Sequence, residues 1–136
     1  MPGSEPQPAG RASVRLSLPA DASHVRTARL VSVSVARRLG FVDLVLDEIR
    51  LAVGEACAQV LTGTRDDDVL RLEIVDDGGS LTVSVFALPR PGSDAPDAPD
   101  APAPGDLSLA VLRELVPSLQ VLPGRFDLIW PTERSG

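Results

Sequence analysis

Glu55 and Gln59 are the side chains of this 136-residue sequence whose types and spacing best suit chemistry. They stand four residues apart within Leu46-Asp47-Glu48-Ile49-Arg50-Leu51-Ala52-Val53-Gly54-Glu55-Ala56-Cys57-Ala58-Gln59-Val60-Leu61. That stretch reads as a helix, and four-residue spacing projects both side chains from one face. One offers carboxylate oxygens and the other an amide oxygen. Ile49, Val53, Ala56 and Val60 form an apolar stripe on the same helix, and Glu48 joins Glu55 and Gln59 on the neighbouring polar face. A solvated helix face has the same pattern, so the pair alone does not select between chemistry and surface.

Other chemistries have less to build on. His24 is the sole histidine and Cys57 the sole cysteine, too few by themselves for a metal site or an internal disulfide. A lone cysteine fits a reducing compartment. No nucleophile motif supports a Ser-His-Asp arrangement. Every basic residue is Arg, so no lysine can clamp phosphate or form a Schiff base. The formal net charge of −6 and the 3% aromatic content argue against direct binding of nucleic acid, which requires many phosphates to be neutralised. Arg26, Arg29, Arg37 and Arg38 are the only candidates for a basic patch. No apolar run approaches the roughly 20 residues of a membrane helix, and Met1 to Gly10 has no apolar core of a signal peptide. The expectation is a cytoplasmic protein away from the membrane.

The elements that must position these residues can be read in order. Val14, Leu16 and Leu18 alternate with polar residues as in a half-buried strand ended by Pro19. A helix is expected from about Ala22 to Leu39, with Asp21 as cap and Gly40 as stop, although Val31 to Val35 is locally strand-like. The second helix runs from about Leu44 to Leu61 behind Asp43. Leu70 to Ile74 and Leu81 to Val85 alternate as strands around Asp76-Asp77-Gly78-Gly79, a hairpin signal. Pro89 to Gly105 contains three Asp-Ala-Pro repeats and is expected to be an extended loop, a surface insertion of a kind that costs little. A third helix from about Leu107 to Leu115 is capped by Asp106, and strands at Leu119 to Leu122 and Phe126 to Trp130 finish the chain. The order β-α-α-β-β-loop-α-β-β predicts an α+β fold: a two-layer sandwich with a mixed, mostly antiparallel sheet covered on one face by about three helices. The expected organisation is a disordered tail over 1–11, one domain over 12–132, and a short tail over 133–136.

Three segments carry a family resemblance. Ala20 to Arg29, Ile49 to Ala56 and Phe126 to Trp130 resemble the first helix, the second-helix signature and the closing strand of the anti-sigma regulatory factors. These are serine-protein kinases of the RsbW type, with the histidine-kinase-like ATPase fold. The resemblance implies that Glu55 orients or activates a group near the nucleotide γ-phosphate. It puts Gln59 where the family holds Mg²⁺ through an Asn, a residue type absent from this sequence. A Gln has the same amide on a longer stem, and magnesium demands near-ideal octahedral geometry.

The remaining family positions depart further. By strand order, Ala87 stands where an Asp reads adenine, and Ala has no side-chain acceptor. Pro89 replaces the first motif glycine, while Gly92 follows it in the Pro-rich segment. Gly105 survives at the phosphate-binding opening of the third helix, but Asp106 beside it brings negative charge. Asp76 to Gly79 resembles the missing Asp-x-Gly motif yet precedes the strand that should lead into it.

The resemblance implies a partner-binding regulator of a sigma factor, of a STAS-type anti-anti-sigma protein, or of both, with a homodimer as the family's common form. Binding rather than catalysis is expected, with no cofactor. Arg26, Arg29 and Arg37 are the candidates for meeting acidic partner surfaces. The alternative is an active ATP- and Mg²⁺-dependent serine/threonine-protein kinase acting on the STAS antagonist, with Glu55 and Gln59 in the site.

Overall fold

Alternation of apolar and polar residues decides where the sheet lies and which of its faces is covered. In the computed structural model, which describes residues 11–92 and 103–132, the strands are β1 (Arg11–Pro19), β2 (Val69–Asp77), β3 (Ser80–Leu88), β4 (Ser118–Leu122) and β5 (Arg125–Pro131). They lie side by side in the order β1-β2-β3-β5-β4, and every adjacent pair is antiparallel. The register aligns apolar side chains in rows across the sheet. One row is Leu16, Leu72, Val85, Phe126 and Val121; the next on that face is Val14, Ile74, Val83, Leu128 and Leu119. Between them, on the opposite face, runs Arg15, Glu73, Ser84, Asp127 and Gln120. Side-chain direction alternates along each strand, so the helices pack on the apolar rows and leave the polar row on the face without helices, where Ser84 alone is buried.

Three helices form the second layer: α1 (Val25–Arg38), α2 (Asp43–Leu61) and α3 (Asp106–Leu115). The stripe on α2 is buried as its spacing requires, with Ile49, Ala52, Val53 and Ala56 fully excluded from solvent. In α1 the buried positions are Val25, Ala28, Ser32 and Ala36. Those small residues present a close-packing face, and Ser32 satisfies its buried hydroxyl by donating to the Ala28 carbonyl at 2.9 Å. Burial of that face at helical spacing explains why Val31 to Val35 is helix despite its strand-like alternation; tertiary packing outweighs the small propensity cost of β-branched residues. Trp130 is 1% exposed, and its indole N–H has no acceptor among the described residues, so it contributes apolar area and volume alone.

The helix starts differ from expectation by a few residues. Asp21 precedes a single 3-10 turn (Ala22–His24), and α1 begins after it. Asp43 and Asp106 lie inside the first turns of α2 and α3, with Val42 and Gly105 at the caps and no side-chain cap bond at either. An acid in the first turn favours a helix through its dipole without bonding to it, which is why sequence alone puts it one position early. Gly40, at φ 90°, ends α1 as expected. The Asp-Ala-Pro repeats lie outside the described residues, as do the proposed terminal tails apart from Arg11, which opens β1. No described helix is long and apolar enough to cross a membrane.

The β2–β3 turn closes on its own carboxylates. Asp76 Oδ1 accepts from the Gly78 amide at 2.9 Å, and Asp77 Oδ1 accepts from the amides of Gly79 at 3.0 Å and Ser80 at 2.8 Å. Gly78 supplies the positive φ of 92°. The Gly79 and Ser80 amides hold the Asp77 carboxyl below its ordinary range. A carboxyl with a lowered folded pKa contributes stability above its unfolded value, about 3.9, and loses it as pH falls through the lower folded value. An NMR titration is expected to place the Asp77 midpoint below that ordinary value, with Asp77→Asn flattening the acid limb of hairpin amide protection.

Candidate functional site

The polar side of α2 is set by what its other side buries. With Ile49, Val53 and Ala56 fixed against the sheet, Glu55 and Gln59 point along the layer toward α3, both half-buried. Their oxygens are engaged there. Glu55 Oε2 accepts from the Ser108 hydroxyl at 2.6 Å, and Gln59 Oε1 accepts from the Gly105 backbone amide at 3.2 Å. The structure therefore brings together Glu55, Gln59 and Gly105, three of the residues singled out in the sequence, and adds Ser108, which sequence reasoning missed. Asp106, in the first turn of α3, is exposed beside them.

The other positions are placed differently. Ala87 lies near the end of β3, paired with Leu70 and packed against the apolar core. Gly92 is exposed at φ 82°, and a Cβ there would meet nothing within 4 Å. The Asp76–Gly79 turn lies at the opposite end of β3 from Ala87, and its carboxylates are taken by the turn's own amides. Among the described residues, no three His, Cys, Asp or Glu side chains cluster as a metal site.

Of the arginines on α1, one is built into a feature. Arg29 lies across Gly54 of α2, so closely that a Cβ at Gly54 would stand 3.2 Å from both its Cδ and its Nη1. Arg29, Arg50, Leu51, Gly54 and Glu55 line an open groove of about 430 Å³. Arg50 is tied to Asp47 at 3.4 Å, whereas Arg29 is half-buried and makes no ion pair among the described residues. Arg26 and Arg37 are exposed and do not line the groove. Leu51 is 56% exposed at its edge, an apolar contact left open. The sequence held one signal for this feature, a glycine in the middle of a helix, where it costs about 1 kcal/mol relative to alanine. Cys57, on the buried side of α2, is no nucleophile: burial pushes its thiol up to about 12, against a weaker opposing pull from Arg29.

Comparison with known proteins agrees with this architecture. The family profile described as the histidine kinase-like ATPase domain matches residues 18–125. Proteins named serine-protein kinase RsbW from Bacillus thuringiensis (strain Al Hakam), Bacillus mycoides (strain KBAB4) and Bacillus cereus (strain B4264) are each 31% identical over 62 residues. That alignment covers 46% of this chain and 39% of each relative, so the chain matches well under half the length of these curated proteins. A five-stranded antiparallel sheet under three helices, matched from the end of β1 to the start of β5, places the chain in the histidine kinase-like ATPase domain family.

Proposed function

We propose that the protein is a regulatory binding module of the anti-sigma type, which holds a sigma factor, a STAS-type anti-anti-sigma protein, or each in turn, without nucleotide chemistry. The observation that carries this reading is the engagement of Glu55 and Gln59 with α3 of the same chain. A magnesium nucleotide would need those oxygens. It would also meet Ala87 in place of an adenine acceptor and the Asp106 charge where phosphate should approach. The residues present do not fit that group, and no catalytic step is derived through it. Release of one partner by another then follows from competition and concentration, with no covalent step.

The partner surface in this reading centres on Arg29. Its guanidinium is held across Gly54 and makes no ion pair among the described residues, and Leu51 flanks it. Arg groups with an apolar neighbour are the usual anchors of a protein interface. An acidic side chain of the partner pairs with Arg29 in this reading. Arg26 and Arg37 are exposed on the same helix and extend the positive surface. The second reading, an active serine/threonine-protein kinase, is favoured by the name its relatives carry.

Calorimetric titration with ATP and ADP, with and without Mg²⁺, separates the two readings. No heat at millimolar nucleotide and an unchanged melting temperature are expected. Micromolar, metal-dependent binding that disappears in Glu55→Ala would establish the kinase reading instead. Arg29→Glu is expected to weaken the complex with a co-purifying sigma factor or STAS protein by about tenfold or more, on the scale of a buried interface charge; unchanged affinity would remove Arg29 from the surface. Gly54→Ala should stabilise the free protein by about 0.5–1 kcal/mol in denaturant melts, because only the far part of a flexible side chain must yield. The same substitution displaces Arg29 and is expected to weaken partner binding.

A further inference from the structure

The first turn of α3 is poorly secured by its own sequence. The helix has 10 residues, shorter than the roughly 12–15 at which isolated helices become marginally stable in water. Its cap is Gly105, which has no side chain to bond the free amides. Apolar burial holds the middle and end of the helix: Leu112 is fully buried, and Leu109 and Leu115 pack against the core. Leu107, in the first turn, is 79% exposed. Asp106 complements the helix dipole there but makes no cap bond.

We propose that Glu55 and Gln59 form an internal latch that docks the first turn of α3 onto α2. Two residues one turn apart on α2 meet two residues one turn apart on α3. Glu55 accepts from Ser108 at 2.6 Å, and Gln59 accepts from the Gly105 amide at 3.2 Å. A two-point contact fixes both the rotation of α3 about its axis and its position along α2, which one bond would leave free. The latch also gives the carboxylate and the amide a positioning role, through α3, rather than a role toward a ligand. It deepens the binding-module reading, but its own existence is measured with no nucleotide and no partner present.

Hydrogen exchange of the α3 amides in the free protein tests the latch. Glu55→Gln retains an acceptor oxygen, whereas Glu55→Leu and Gln59→Leu remove theirs at similar volume. Glu55→Gln is expected to leave α3 protection at the wild-type level. Each leucine variant should lower it by about tenfold, the scale of one lost hydrogen bond, with β2 and β3 unaffected. Adding Ser108→Ala to Glu55→Leu should cost nothing further, because both remove the same bond.

Unchanged α3 protection in Glu55→Leu, or additive losses in the double variant, would overturn the latch. So would a Glu55→Gln variant as damaged as Glu55→Leu, the mark of a carboxylate needed for its charge. Should Glu55→Leu fail to fold, Ser108→Ala alone removes only the hydroxyl. A tenfold loss confined to α3 then supports the latch and no loss rejects it. A latch that fails while ATP still does not bind is rejected alone, leaving the binding-module reading in place.

Discussion

The contact on which the rest of this structure depends is α2 lying across the centre of the sheet. Its buried stripe shares one core with Val83 and Val85 on the central strand β3 and Leu128 on the neighbouring β5, and α2 touches β3, β5 and β2. Close packing of this kind fixes a helix in rotation as well as position, because interiors have crystal-like density and tolerate little slippage. Coverage weakens toward the sheet edges, and the gradient is visible in single residues. Val83 is fully buried, whereas Val14 on β1 and Val121 on β4 are both 37% exposed in comparable rows.

Once α2 is fixed, two consequences follow on its remaining sides. Toward α1, small residues on both helices allow a close approach: Ala28, Ser32 and Ala36 on one, and Gly54 on the other. The missing side chain at Gly54 makes room for Arg29, so a helix-destabilising residue is tied to a specific placement of charge. Toward α3, the same rotation presents Glu55 and Gln59 to a helix that is weak at its start. The polar face of α2 is thus divided between an arginine-lined groove and a docking contact, and Glu55 touches both.

Local patterns were legible in the sequence to the extent that local physics decides them. Alternation located the strands, and Asp76 to Gly79 located the hairpin, because a strand face and a tight turn are set by neighbours in sequence. The burial of Ile49, Val53, Ala56 and Val60 followed from spacing. The caps were displaced because an Asp in the first turn and an Asp at the cap are nearly the same signal. The contacts of the site were not legible. Ser108 lies 53 residues from Glu55, and Gly105 lies 46 from Gln59. A pairing at that distance depends on how α3 returns to the layer, which no local pattern encodes. Likewise, the sequence offered Arg26, Arg29 and Arg37 as candidates on one helix without ranking them, and only the position of α2 singles out Arg29.

The occupied polar face also gives the proposed absence of nucleotide chemistry an energetic content. A site whose oxygens face water loses only solvent when a ligand arrives. Here a ligand must first take Glu55 and Gln59 from Ser108 and Gly105. A net hydrogen bond contributes about 0.5–1.5 kcal/mol, and one to a charged group about 1.5–3 kcal/mol. Breaking both therefore costs roughly 2–4.5 kcal/mol, and each 1.4 kcal/mol is tenfold in affinity. Loosening the start of α3, whose Gly105 cap makes no side-chain bond, adds to that cost. In the proposed binding-module reading, two independent features act against nucleotide: Ala87, which has no side-chain acceptor at the position the resemblance gives to adenine recognition, and the competing contacts of α3. Restoring an acceptor at position 87 alone would leave the second feature intact.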